Sequence, residues 1–165
     1  LTEADWKILQ DEGCSVAFCP SSNLFLGSGL FDLPRLQFAD VKVGIGTDVG
    51  AGTSLSMLQT IADAYKTQRL AGNDLSPLSG LYMATLGGAK SLDCDADIGN
   101  FKIGKEADFT VLDPESTPLM SYRMQNCKSL EERLAVIVLL GDDRAISATY
   151  ANGHCVHDRD IDEES

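Results

Sequence analysis

Two hydrophobic periods divide the chain. Thr2-Glu3-Ala4-Asp5 reads as a capping box with Asp in the usual Glu or Gln position, and Leu1 and Trp6 stand where a hydrophobic staple would flank it. They predict a helix to about Glu12, stopped by Gly13. Ser15-Val16-Ala17-Phe18-Cys19 is a short run of buried-strand type that Pro20 ends. A loop rich in Ser, Asn and Gly is expected from Ser21 to about Gly29. Leu33 to Asp40 suits a short helix. Val41-Lys42-Val43-Gly44-Ile45-Gly46 is the clearest strand and runs into Thr47-Asp48. After the loop Val49-Gly50-Ala51-Gly52-Thr53, Ser54 can cap a long helix that carries Leu55, Leu58, Ile61, Ala62 and Tyr65 at helical spacing. Ser76-Pro77 opens another helix, through Leu81 and Met83 toward Leu92. Helix and strand therefore alternate over the first ninety residues, the pattern of a parallel α/β architecture.

The pattern then changes. Ile98-Gly99, Ile103-Gly104 and Asn152-Gly153 are turn signals. They bound short predicted strands at Phe101–Ile103, Asp108–Leu112, Ile146–Ala151 and Cys155–His157, and Asn152-Gly153 is a two-residue hairpin signal. Residues Ser116 to Lys128 read as irregular. Ser129 to Leu140 begins with helix formers and ends in a strand-like run, Ala135 to Leu140. The rear third is expected to be mainly β, with no linker between it and the helices. The division that follows is 1–95 and 96–165.

Composition narrows the function. Apolar residues make up 44% of the 165 and charged residues 23%, as in globular chains. Thirteen Lys and Arg stand against 25 Asp and Glu, a net charge of −12. So acidic a surface repels phosphate backbones and anionic lipid, so neither nucleic acid nor membrane is expected as a partner. Part of the acid lies in Asp158, Asp160, Asp162, Glu163 and Glu164, which read as a frayed, solvated tail. Cys14, Cys19, Cys94, Cys127 and Cys155 are odd in number and irregular in spacing, which points to reduced thiols in a cytoplasmic protein rather than a disulfide framework or zinc knuckle.

Asp48 is the first candidate for chemistry. An acidic residue just past an apolar strand sits at the carboxyl end of a parallel sheet, where ligand and metal sites collect. There it can coordinate a divalent ion or take a proton from water; equally, it can cap the next helix or pin its loop. The glycine loop 49–54 could cradle an anion but lacks the Gly-Lys-Ser/Thr of a phosphate loop, and a need for small residues in close packing explains it more simply. Asn23, in Cys19-Pro20-Ser21-Ser22-Asn23-Leu24, offers a donor and an acceptor to a purine-like ring edge, or serves its own turn. His154 and His157 resemble a metal pair, but three residues apart on a strand they point to opposite faces, and a surface role fits them better. Cys19 has no His partner upstream, so a Cys–His nucleophile is not supported.

Phe18-Cys19-Pro20-Ser21-Ser22-Asn23-Leu24, Gly44-Ile45-Gly46-Thr47-Asp48 and Ala84-Thr85-Leu86-Gly87-Gly88-Ala89 resemble the second half of the metal-dependent amidohydrolase superfamily. The segment Ile98 to Phe109 looks like that family's return from barrel to β-sandwich. Within the superfamily, Asn23 to Gly29, Thr47 to Leu58 and Leu140-Gly141-Asp142-Asp143-Arg144 resemble the guanine-deaminating enzymes. The resemblance implies an α/β fold: the C-terminal part of a (β/α)8 TIM-type barrel, meaning its last two strands and flanking helices, followed by strands of a small β-sandwich. It also implies zinc, or iron, as cofactor. The activity implied is hydrolysis of guanine to xanthine and ammonia by an activated water, in a protein that is a homodimer at full length.

Of the family's metal ligands, only the aspartate of the eighth strand has a counterpart here, Asp48. The histidines and the proton-shuttling Glu would lie upstream of Leu1. The natural chain is therefore expected to begin earlier, and this portion to be inactive alone and to fold poorly because two barrel strands leave apolar edges uncovered. Two other readings stay open. One is an aminohydrolase or chlorohydrolase of the same superfamily acting on another purine, a pyrimidine or a triazine. The other is a non-catalytic structural or dimerisation module.

Overall fold

The computed structural model describes residues 2–162. Helix α1 (Glu3–Asp11) starts at the expected capping box: Thr2 accepts from the Asp5 amide, and the Asp5 carboxylate accepts in return from the Thr2 backbone. Leu1, the outer half of the expected staple, lies outside the described residues. Strands β1 (Ser15–Phe18) and β2 (Lys42–Ile45) pair in parallel, Ser15 opposite Lys42 and Phe18 opposite Ile45. Parallel pairing needs a crossover, and α2 (Pro20–Leu26) and α3 (Leu33–Phe38) supply it.

Helix α2 corrects the expected loop from Ser21 to Gly29. Pro20 does not merely end the strand; it takes the first helical turn, where its missing N–H costs nothing. Gly27, in the left-handed conformation at φ +67°, closes the helix.

Helix α4 (Met57–Leu70) is the axis of the packing. Its cap is Ser56, whose Oγ accepts from the Gln59 amide at 3.3 Å; Ser54 instead accepts from the Ser56 amide. The expected helix thus starts two residues later, and Leu55 lies outside it, 80% exposed. The expected helix from Ser76 to Leu92 is two, α5 (Pro77–Ala84) and α6 (Leu86–Ser91), broken at Thr85, whose φ −124° and ψ −103° are not helical.

Two clusters form the core. Phe18, Leu33, Ile45, Ile61, Ala64, Leu75, Met83 and Val138 make one, with the Phe31 ring stacked on Phe18 at 4.3 Å. Leu58, Met120, Met124, Val136 and Ala145 make the other. Each large apolar side chain buried in this way stabilises the fold by about 1.5–3 kcal/mol. Gln68, fully buried, ties the layers together: its amide donates to the Phe31 carbonyl at 2.9 Å and accepts from Asn73 at 3.1 Å.

In the rear third, β3 (Phe109–Leu112), β4 (Ile146–Ala151) and β5 (His154–Asp158) form one antiparallel sheet in the order β3-β4-β5. Asn152 at φ 48° and Gly153 at φ 75° make the expected hairpin turn. Three expectations are corrected. Phe101–Ile103 is not a strand, and Ile103 is fully exposed. Ser116 to Lys128 contains α7 (Pro118–Met124), capped by Thr117. Ser129 to Leu140 is one helix, α8 (Leu130–Leu140), opened by a Ser129–Glu132 capping box. The rear third is therefore mixed rather than mainly β.

Within the acidic end, Asp158 closes β5, and α9 (Arg159–Asp162) is pinned by Arg159, which donates to the Arg144 carbonyl at 2.8 Å. Glu163 and Glu164 lie outside the described residues. No helix among these residues is long and apolar enough to cross a membrane.

Candidate active site

Because β1 and β2 run in parallel, their carboxyl ends share one edge. The ladder continues one step past the strands, with the Gly46 amide donating to the Phe18 carbonyl at 2.9 Å. Cys19 to Asn23 and Thr47-Asp48 consequently meet. Ser22, 2% exposed, donates from Oγ to Oδ2 of Asp48 at 2.6 Å. That contact joins residues 26 apart in sequence and places Asp48 beside the serine–asparagine segment, on the same rim.

Asp48 itself is exposed and stands at φ 49°, a left-handed conformation uncommon for a residue with a side chain but tolerated by Asp. Its carbonyl accepts from the amides of Ala51 at 3.1 Å and Gly52 at 2.5 Å, which closes the following turn. Gly52 is obligatory there: a Cβ would lie 1.7 Å from the Thr47 carbonyl oxygen. Its role in the glycine loop is therefore close backbone packing, the simpler of the two readings.

Asn23 is half-buried within α2, and its carbonyl accepts from the Ser28 amide at 2.9 Å. Cys19 lies beside Gly46 and near Asp48; burial first, and the Asp48 charge second, push its thiol above the ordinary value of 9.0. It is protonated at neutral pH and is not an activated nucleophile. His154 and His157 sit on β5 in the other sheet, His154 exposed and His157 half-buried. All five cysteines are free.

Among the described residues no three His, Cys, Asp or Glu side chains come together as a metal cluster. Asp48 fits as one ligand: it is exposed at the end of β2, Ser22 engages Oδ2, and no described residue bonds Oδ1. Ser22 was the contact that the sequence reading did not single out, although the Cys19–Asn23 segment was. Its only signal was a hydroxyl in the segment facing the carboxylate across a parallel strand pair.

The chain matches the amidohydrolase family over residues 1–156. It is 53% identical over 159 residues to guanine deaminase of Escherichia coli, a match that takes in 96% of this chain and 36% of that protein. The solved structure of E. coli guanine deaminase superposes with a TM-score of 0.94 over 96% of this chain and 37% of that one. Guanine deaminase from Bradyrhizobium japonicum is 34% identical with a TM-score of 0.89, over 96% of this chain and 41% of that one. An adenosine deaminase from Xanthomonas campestris, solved with bound zinc, is 29% identical with a TM-score of 0.77, over 94% of this chain and 34% of that one. The chain spans about a third of the length of the relatives it matches. On a family match that runs through both the Cys19–Asn23 segment and Asp48, this chain belongs to the amidohydrolase family.

Proposed function

We propose that this chain is the portion of a zinc-dependent guanine deaminase that carries the eighth-strand aspartate of the barrel, Asp48. The observation that carries the reading is the contact of Ser22 with Asp48 at the shared carboxyl edge of two parallel strands. It occurs in a chain 53% identical to a guanine deaminase. In this reading β1 and β2 are the seventh and eighth barrel strands, and β3, β4 and β5 belong to the small β-sandwich.

The reaction is hydrolysis of the guanine amine to give xanthine and ammonia. When bound, the metal supplies a water acidic enough to ionise near neutral pH. Asp48 would be one of the residues that hold it, and its carboxylate would take a proton from the attacking water. The charge on Asp48 is needed for both tasks, so the ionised form is the working one. In this reading Asn23, one residue past Ser22, meets the purine edge with its amide. Cys19 stays protonated and takes no covalent part. The remaining ligands and the acid that protonates the ring belong to parts of the enzyme not in this chain. The reading includes a cytoplasmic location and a homodimer for the complete enzyme.

The test is a chimera in which the matched 159-residue segment of E. coli guanine deaminase is exchanged for this chain's counterpart. Ammonia release is measured from guanine, adenine, adenosine and cytosine, and chloride release from a chlorinated triazine. Turnover of guanine above the others is expected. Preference for another base supports a different aminohydrolase. A folded chimera without turnover of any of them supports a structural module.

A further inference from the structure

The carboxylate of Asp48 is exposed, and among the described residues no group of its own loop hydrogen-bonds it. The backbone bonds from Ala51 and Gly52 hold its carbonyl, not its carboxylate. The single side-chain partner among the described residues is Ser22, which is 2% exposed in the first turn of α2. Ser22 is carried by a buried helical turn, so α2 and not the Asp48 loop sets where its hydroxyl stands. At 2.6 Å, the bond has the length of a charge-assisted O–H to carboxylate contact.

We propose that Ser22 is a positioning residue for the Asp48 carboxylate: it holds Oδ2 and leaves Oδ1 as the oxygen available to the metal and to the attacking water. This rests on the deaminase reading above. A hydrogen bond behind a ligand fixes its orientation, and its loss commonly costs about 10- to 100-fold in metal affinity or activity. Ser22 is thus to Asp48 what a supporting carboxylate is to a metal-binding histidine.

Two measurements test it. In the chimera with E. coli guanine deaminase, Ser22→Ala should lower kcat by about 10- to 100-fold and release zinc at a lower chelator concentration, with KM for guanine unchanged. Ser22→Thr, which keeps the hydroxyl, should restore both. Unchanged kcat and zinc retention in Ser22→Ala would overturn the proposal, and so would equal losses in Ala and Thr.

In the metal-free chimera, side-chain scalar couplings of Asp48 should report one rotamer in the wild type and in Ser22→Thr, and averaging in Ser22→Ala. A single unchanged rotamer in Ser22→Ala would also overturn it. If the chimera does not deaminate guanine, the deaminase reading fails alone, and the couplings still decide whether Ser22 holds Asp48.

Discussion

At the scale of single residues, the candidate site depends on a close backbone approach that only glycine allows and on a carboxylate that has to be aimed. Gly52→Ala would drive a Cβ to 1.7 Å from the Thr47 carbonyl, so the turn that sets Asp48 must shift. Loss of activity in the chimera is expected, with the helical content kept by circular dichroism.

Charge sets a second residue-scale test. The Arg144 guanidinium donates to both carboxylate oxygens of Asp142, from Nε at 3.1 Å and Nη2 at 2.6 Å, and holds that carboxyl below its ordinary value of 3.8. A carboxyl lowered on folding contributes stability that is fully present above its unfolded value and is lost as pH falls through the folded one. Asp142→Asn should therefore lower Tm at about pH 6, and the gap to wild type should close as melts are taken toward about pH 3. A gap that widens in acid would contradict the assignment.

Asp48 and the Cys19–Asn23 segment were legible in the sequence because each follows an apolar run and so falls at a strand's carboxyl end. Ser22 was not, because which of two adjacent serines reaches across to Asp48 depends on the pitch of α2, an element that polar composition hid.

At the scale of elements, caps proved stronger than composition. Ala135-Val136-Ile137-Val138-Leu139-Leu140 reads as a strand by its β-branched run, yet it is helical. The Ser129–Glu132 box nucleates the helix, and Val136 and Val138 are then buried in different clusters. A continuous apolar run does not distinguish a strand from a helix buried on several sides. Ser129→Ala should destabilise the chain by about 1 kcal/mol in urea titration.

The same physics hid α2 and α7, where Pro20 and Pro118 occupy the first helical turn rather than breaking structure. The parallel pair β1–β2 and the hairpin β4–β5 were legible, because apolar runs and Asn-Gly are unambiguous local signals. Close helix contact was not: Gly80 of α5 lets that helix meet Ile61 of α4, where an added Cβ would lie 2.4 Å from Ile61 Cγ2. Gly80→Ala should cost about 1–3 kcal/mol by overpacking, read as a fall in the urea midpoint.

At the scale of the molecule, the two clusters are coupled rather than separate. Helix α4 carries Leu58 into one and Ile61 and Ala64 into the other, and α8 does the same with Val136 and Val138. The 1–95 and 96–165 portions should therefore unfold together. Circular dichroism and amide signals from α5 and β4 should give one urea midpoint, and two midpoints would show independent units.

The surface also carries large exposed apolar side chains at the rim of the site: Leu24, Phe25 and Leu26 of α2 are 53%, 67% and 62% exposed, and Val49 beside Asp48 is 52% exposed. In the deaminase reading the rest of the barrel covers this rim.

The account stands on Asp48 as the working carboxylate of a guanine deaminase. Its most direct test is guanine turnover by the E. coli chimera carrying Asp48→Ala, followed as xanthine formed. The account predicts a folded protein whose rate has fallen by about 10²- to 10⁴-fold or more. Turnover close to that of the unmodified chimera would contradict it.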